Sequence, residues 1–345
     1  MKVLEQMNGY GHEQIMFVQE KSLGLRAIIA VHNTVRGPAL GGTRFFDYAT
    51  EEDALFDVLR LSRGMTLKNA AAGLKLGGGK AVILGDPKKL KSREFLMAYG
   101  KFIDSLGGKY YTAQDMNIST ADIAHMNETT KFVVGTPAIS GDPAPFTARG
   151  VYMGMKAGAK EKFGDDSLAG KKILVQGIGS VGSLLCELLA KENAKLIVCD
   201  VNSSATEKIE KNFGAQIISS ENILSTECDI FSPCAMGAIL NTKNVSDLKC
   251  KLIAGAANNV LLDLETGDKI SERGILYLPD YIINAGGVIN CGMEATDPVF
   301  DVKKVLVMCD EIYNTTQKII ALAKEKNYGT HRAADDYAES QIVPV

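Results

Sequence analysis

The stretch that most narrows what this 345-residue chain can fold into is KKILVQGIGSVGSLLCELLAKENAKLIVCD, residues 171–200. A short apolar run precedes G-x-G-x-x-G, a helix-period run follows it, and a second apolar run ends in an acid. Strand, glycine turn, helix and parallel strand is the only economical reading of that order. Gly177 permits the tight turn, Gly179 lets the backbone approach a pyrophosphate, and Gly182 lets helix and strand pack closely, with Ile178, Ser180 and Val181 completing the loop. Phosphate oxygens would then meet the positive end of the helix. Asp200 stands 23 residues past Gly177, where a carboxylate can accept from both ribose hydroxyls and repel a 2′-phosphate. That favours NAD over NADP. The glycine turn of another nucleotide or sugar-nucleotide α/β protein fits the same letters.

The same alternation continues through AQII, DIFSP, KLIAGAA and ILYLP, so this half reads as a doubly wound parallel sheet. The first part of the chain mixes its elements differently. FVQEKSLGLRAIIAVH reads as a hairpin turning near Ser22-Leu23-Gly24, and Thr50-Glu51-Glu52-Asp53 reads as a cap opening a long helix. At about 150 residues per domain the length suggests two. The expected architecture is α/β: an N-terminal α/β substrate domain, residues 1–134 with a C-terminal helix at about 327–345, and a Rossmann-type NAD-binding domain, residues 135–326, separated by a cleft. Residues 301–326 are expected to form one long amphipathic helix.

With 46% hydrophobic and 23% charged residues and a net charge of -3, the chain offers no basic field for nucleic acid or an anionic membrane. No signal-peptide pattern and no apolar run of about 18 residues is present, so a cytoplasmic protein is expected. Seven cysteines without C-x-x-C suit reduced thiols, and four scattered histidines give no zinc spacing, so no metal site is expected.

GLKLGGGKAVI, residues 73–83, looks like a phosphate loop until its letters are compared. G-x-x-x-x-G-K-[ST] would need Gly at 74 and a hydroxyl at 81, where Leu74 and Ala81 stand. The glycines are instead expected to make a tight turn from which Lys80 emerges just before a strand. Twelve residues earlier, Lys68 shares a helix face with Leu61, Met65 and Ala72. An ammonium in an apolar stripe either snorkels outward or meets an anion such as a substrate carboxylate. Asp115 in KYYTAQDMN is an ordinary turn acid or, beside Lys80, half of an acid–base pair.

GPALGGTR, RGMTLKNAAAGLKLGGGKAVI, YYTAQDMN, GDPAPFTARGVYMGMKA, GIGSVG, DIFSPCAMGAILN, IAGAANN and PDYIINAGGVIN, in this order across nearly the whole chain, resemble the amino-acid dehydrogenases that act on glutamate, leucine, phenylalanine and valine. Among these the chain resembles the leucine dehydrogenases most. The resemblance implies reversible oxidative deamination of an L-amino acid to a 2-oxo acid and ammonia, with hydride passing to NAD. It implies that Lys68 holds the substrate carboxylate with Gly41, Gly42 and Met65 beside it, that Lys80 is the catalytic lysine, and that Asp115 moves protons at the substrate nitrogen. Thr147, Asn258, Asn259 and Asn284 match positions near the nicotinamide. It further implies a homo-oligomer, from dimer to octamer.

Leu40 stands where glutamate enzymes place a lysine, so a side-chain carboxylate would go unpaired there. The resemblance puts Ala113, Val288 and Cys291 around the same pocket, which follows the branched-chain pattern. Leucine is expected first, then valine and isoleucine, with an aromatic amino acid as the alternative substrate and a non-catalytic NAD-binding regulator as the alternative class. Asp142 and Gln114 stand where the family commonly has Asn and Glu, and the segment from Gly135 to Gly141 is a few residues short.

Overall fold

The computed structural model describes residues 2–235 and 237–345. The chain forms two compact units: residues 1–143, 288–302 and 338–345, and residues 144–287 and 303–337. These limits differ from the expected 1–134 with a C-terminal helix at about 327–345, and 135–326: of that C-terminal stretch only 338–345 groups with the first unit, while residues up to 337 group with the second, where Arg332 pairs with Asp268. Residues 135–143 and 288–302 belong with the first unit, because the helix Gly286–Thr296 bonds to that loop through side chains, which apolar periodicity cannot reveal.

The first unit is built on strands β1 (Gln14–Glu20), β2 (Leu25–Asn33), β3 (Ala39–Phe46), β4 (Gly77–Leu84) and β5 (Tyr110–Ala113), in the order β1-β2-β4-β3-β5. β1 and β2 form the expected hairpin, turned by Gly24 at a φ of 66°. β2 runs antiparallel to β4, while β3 is parallel to both β4 and β5. Val18, Ile29, Phe45, Ala81 and Ile83 face one side, where they meet Phe95, Tyr99 and Ile103 of the helix Arg93–Asp104. Ile28, Ala30, Val82 and Leu84 face the other, under Ala54, Leu55, Val58 and Leu59 of the helix Glu51–Ala71. Each such side chain taken wholly from water contributes about 1.5–3 kcal/mol, so this two-sided burial fixes the register. Thr50 caps the long helix as expected, accepting from the Asp53 amide at 3.1 Å.

The glycine run corrects the sequence expectation. Gly77, Gly78 and Gly79 are strand residues within β4, not a turn before it. Their lack of a side chain is required by close packing: a Cβ on Gly78 would strike Thr66 of the long helix, and one on Gly79 would lie 2.7 Å from the Tyr110 ring. Helix and strand therefore approach as only glycine allows.

The second unit carries β6 (Lys172–Gln176), β7 (Lys195–Cys199), β8 (Gln216–Ile217), β9 (Ile230–Pro233), β10 (Leu252–Ile253) and β11 (Leu276–Tyr277). Their order, β11-β10-β9-β6-β7-β8, is parallel throughout, as the alternating apolar strands imply. From β6 the chain runs outward one way to β8 and then the other way to β11. The order reverses between β6 and β9, and ligands of such sheets bind at the strand carboxyl ends of that reversal. The expected single helix over 301–326 is two, Val302–Asp310 and Ile312–Lys326. The interruption directly follows Asp310, which Arg149 grips bidentately at 2.6 and 2.7 Å.

Candidate active site

Lys80 is buried in β4, opposite Ala30 of β2, with 6% of its surface exposed. An ammonium there needs an anion. Asp115 supplies it, two residues past β5, with Oδ2 accepting from Lys80 Nζ. Asp115 Oδ1 accepts from the Met116 amide at 2.5 Å. The turn beyond is bolted to β3: the Phe45 amide donates to Met116 O at 3.0 Å and Asn117 Nδ2 donates to Phe45 O at 2.9 Å. Burial alone would push the Asp115 carboxyl up. The charges of Lys80 and Arg44, with hydrogen bonds from Lys80 and the Met116 amide, outweigh it and hold the carboxyl below the ordinary aspartate range.

Gly41 and Gly42 of β3 link this pair to the long helix. A Cβ on Gly41 would collide with Gly79 O and come within 3.0 Å of Met65 Cγ, while one on Gly42 would meet the Gln114 carbonyl and lie 3.0 Å from Asp115 Cβ. Met65 and half-buried Lys68 lie on the last turns of that helix. Asn69, which sequence reasoning missed, stitches those turns down: its Nδ2 donates to Gly77 O at 2.6 Å and to Leu40 O at 3.3 Å. Tyr110, also missed, donates its hydroxyl to Gly41 O at 2.5 Å.

Leu40, 1% exposed in β3, and Ala113, 8% exposed at the end of β5, bring buried apolar surface to the same sheet. Val288 and Cys291 lie on Gly286–Thr296, and the Cys291 Sγ is 3.6 Å from where a Gly135 Cβ would be. Glu294 on that helix accepts from the Gly135 amide at 2.8 Å, the Thr136 amide at 3.3 Å, and the Thr136 and Ser140 hydroxyls. Gln114 Oε1 accepts from Thr120 Oγ1 at 3.1 Å.

In the second unit the G-x-G-x-x-G forms the turn between β6 and the helix Ser180–Lys191. Gly177 has a φ of 93°, and a Cβ on Gly182 would strike Gly177 O, so both glycines are sterically required. Gly179 is exposed at the helix N-terminus with open space where a Cβ would stand. That opening, ahead of the first amides of the helix, fits a pyrophosphate. Asp200, after β7, accepts from the Ile178 amide at 2.5 Å and the Asn202 amide at 2.8 Å, leaving each oxygen a second lone pair. Asn284 Nδ2 donates to Asn258 Oδ1 at 2.8 Å and to Ala256 O at 3.1 Å, and Asn259 takes a left-handed φ of 54°. Thr147 lies near the start of the helix Ala144–Phe163.

Residues 12–132 match the family described as Glu/Leu/Phe/Val dehydrogenase, dimerisation domain, and residues 198–342 match Glutamate/Leucine/Phenylalanine/Valine dehydrogenase. Leucine dehydrogenase of Geobacillus stearothermophilus is 49% identical over 345 residues, spanning 99% of this chain and 94% of that enzyme. That of Thermoactinomyces intermedius is 48% identical with the same coverage. The crystal structure of L-tryptophan dehydrogenase from Nostoc punctiforme superposes with a TM-score of 0.88 at 42% identity, covering 99% of this chain and 98% of that one. With a buried lysine–aspartate pair, a dinucleotide turn and likeness along its whole length, the chain belongs to the Glu/Leu/Phe/Val dehydrogenase family, whose members are nicotinamide-dependent amino-acid dehydrogenases.

Proposed function

We propose that the protein is a cytoplasmic, NAD-dependent dehydrogenase of branched-chain L-amino acids, acting on leucine first and on valine and isoleucine. The observation that carries this reading is the Lys80–Asp115 pair, held on glycine-lined strands with apolar Leu40 and Ala113 close by in the sheet. Amino acid, NAD⁺ and water give 2-oxo acid, ammonium, NADH and one proton. A nicotinamide held in the second unit would supply the acceptor for the hydride that leaves the substrate Cα. Lys68, with the amides at Gly41 and Gly42, holds the α-carboxylate; Asp115 moves protons at the substrate nitrogen; Lys80 in its amine form takes the proton of the attacking water, and as the resulting ammonium it stabilises the developing oxyanion. Gly177, Ile178, Gly179, Ser180, Val181, Gly182 and Asp200 hold the dinucleotide, and Thr147, Asn258, Asn259 and Asn284 its nicotinamide end. Asp200 favours NAD because its charge repels a 2′-phosphate.

Leu40, Ala113, Val288 and Cys291 bound a small apolar pocket, where one methylene is worth about 1–3 kcal/mol, so the three branched substrates compete closely. Likeness to leucine dehydrogenases supports this choice. The likeness to an L-tryptophan dehydrogenase favours an aromatic substrate as the second reading. The protein works as a homo-oligomer, between dimer and octamer, a reading supported by the dimerisation-domain match.

NADH absorbance with a panel of L-amino acids tests the reading. Leucine should give the highest kcat/KM, and Lys80→Ala should lose at least about a hundredfold in rate while still binding NAD. A phenylalanine or tryptophan value far above that for leucine would transfer the protein to the aromatic class, and full turnover in Lys80→Ala would remove Lys80 from the chemistry.

A further inference from the structure

Arg44 follows GPALGG in β3 and is paired in register with Val82 of β4. Val82 and Lys80 project from the sheet face covered by the helix Glu51–Ala71, and the strand period puts Arg44 on that same face. Asp57 of the helix anchors it: Asp57 Oδ2 accepts from an Arg44 terminal nitrogen at 2.8 Å and from the Tyr48 hydroxyl at 2.7 Å. Arg60 occupies Asp57 Oδ1 at 3.0 Å. The guanidinium is thus fixed from behind. Its Nε is buried and, among the described residues, has no hydrogen-bond acceptor, yet Asp115 Oδ1 stands 3.8 Å away. A buried donor without an acceptor is uncommon in a folded protein and calls for an explanation.

Resting on the reading of Lys80 and Asp115 as the reacting pair, we infer that Arg44 is a positioning residue: its Nε–H takes the Asp115 carboxylate whenever Lys80 turns from it toward substrate. When Lys80 stands as the neutral amine that takes the proton of the attacking water, its charge no longer holds Asp115. A carboxylate released in a buried site with no second cation would swing or take a proton, and would then lose its capacity to accept one from the substrate nitrogen. A short shift of Asp115 onto Arg44 keeps it charged and aimed, with the Met116 amide still bonded to Oδ1. The groups facing Asp115 are Lys80 from β4, Arg44 from β3 and Tyr110 from β5, with Asp57 and Tyr48 behind Arg44. Burial would weaken the charge on Arg44, but Asp115 and Asp57 more than offset this and keep it firmly protonated.

Two readouts test the inference. The first is the carboxyl titration of Asp115, followed by ¹³C NMR on the full chain and assigned by its disappearance in Asp115→Asn. In Lys80→Ala the carboxyl should titrate lower than in Lys80→Ala with Arg44→Gln, because Arg44 is then the cation that faces it. Equal titration in these two variants would overturn the inference. This arm needs no turnover, so a chain inactive toward every amino acid would defeat the functional reading while still deciding the role of Arg44.

The second readout is kinetic. Arg44→Gln should lower kcat about tenfold or more and move the acidic limb of the pH–rate profile upward, with Arg44→Lys recovering part of the loss. In the Asp115→Asn background the same change should cost almost nothing further. Losses that multiply in the double variant, or an acidic limb that does not move in a variant of unchanged thermal stability, would reduce Arg44 to a structural ion pair.

Discussion

Glu294 is the residue whose replacement best separates charge from hydrogen-bond count. One oxygen of its carboxylate, Oε2, accepts from the Gly135 and Thr136 amides and the Ser140 hydroxyl, and the other, Oε1, accepts from the Thr136 hydroxyl. Thr136 and Ser140 are only 6% and 7% exposed, so water cannot readily replace the carboxylate. In Glu294→Gln the amide oxygen can take the place of Oε2 and keep three donors, while the Thr136 hydroxyl rotates to accept from the new NH₂. Only charge assistance is lost, about 1 kcal/mol. Glu294→Ala leaves all four donors without their acceptor. The two hydroxyls can turn elsewhere but the two amides cannot, and at about 1–3 kcal/mol for each buried unsatisfied group the total comes to about 2–6 kcal/mol. At about 2–4 °C per kcal/mol for units of this size, Tm should fall by roughly 10 °C in Glu294→Ala and by a few degrees in Glu294→Gln. Differential scanning calorimetry measures both. Proteolysis at the exposed stretch 137–139 should accelerate in the alanine variant alone. Because the same helix carries Val288 and Cys291, KM for leucine should also rise several-fold there. Alanine and glutamine variants of equal Tm would refute the donor count.

Two further outcomes follow from single groups. Burial, together with the neighbouring His32 ring and against a contact with the Leu59 carbonyl, brings His12 down from its ordinary 6.5 to about 4. The unfolded chain therefore takes up this proton first, and stability is lost as pH falls from 6.5 toward 4. Urea midpoints across that window should decline, and His12→Gln should flatten the decline; an unchanged slope would show that the ring titrates equally in both states. Asp200→Ser removes the carboxylate expected to repel a 2′-phosphate, so the ratio of NAD to NADP turnover should fall about tenfold. A constant ratio would put cofactor choice elsewhere.

What the sequence disclosed is what depends on neighbours along the chain. The β1–β2 hairpin, the Thr50 cap and the strand–glycine–helix turn at residues 172–191 are each set within a few residues, so their letters suffice. Lys68, Lys80 and Asp115 could be singled out because each is a charge at an apolar or strand-end position. The glycine run misled because φ freedom is the commoner use of glycine, whereas here Thr66 and Tyr110, from other elements, exclude a Cβ. Asn69, Arg44 with Asp57, and Glu294 with the 135–140 loop were invisible for a related reason. Each is a polar side chain whose meaning lies in a partner, and for Glu294 that partner is more than 150 residues away. Three signals were present but weak: an Asn on the buried side of a helix, an Arg in a β-prone run, and a Glu within an otherwise uncharged helix.

These polar contacts share a cost that explains their placement. A central strand covered on both faces is most stable with apolar side chains, yet β4 carries three glycines and a buried ammonium between apolar Leu76 and Ala81. Neither glycine nor an ion pair with Asp115 favours stability there; removing charges from water often costs more than their attraction returns, and glycine adds lost chain entropy. The compensation is spread over the surrounding shell: Phe95, Tyr99 and Tyr110 beneath the sheet, Leu55, Val58 and Leu59 above it, and Asn69 and Tyr110 tying the glycine carbonyls. A fold selected for stability alone would place valine or isoleucine at position 80. That it holds a lysine, lined with glycine so that helix and strands close around it, means the fold accepts instability in exchange for a fixed charged pair, a cost that the proposed reaction at Lys80 and Asp115 would explain.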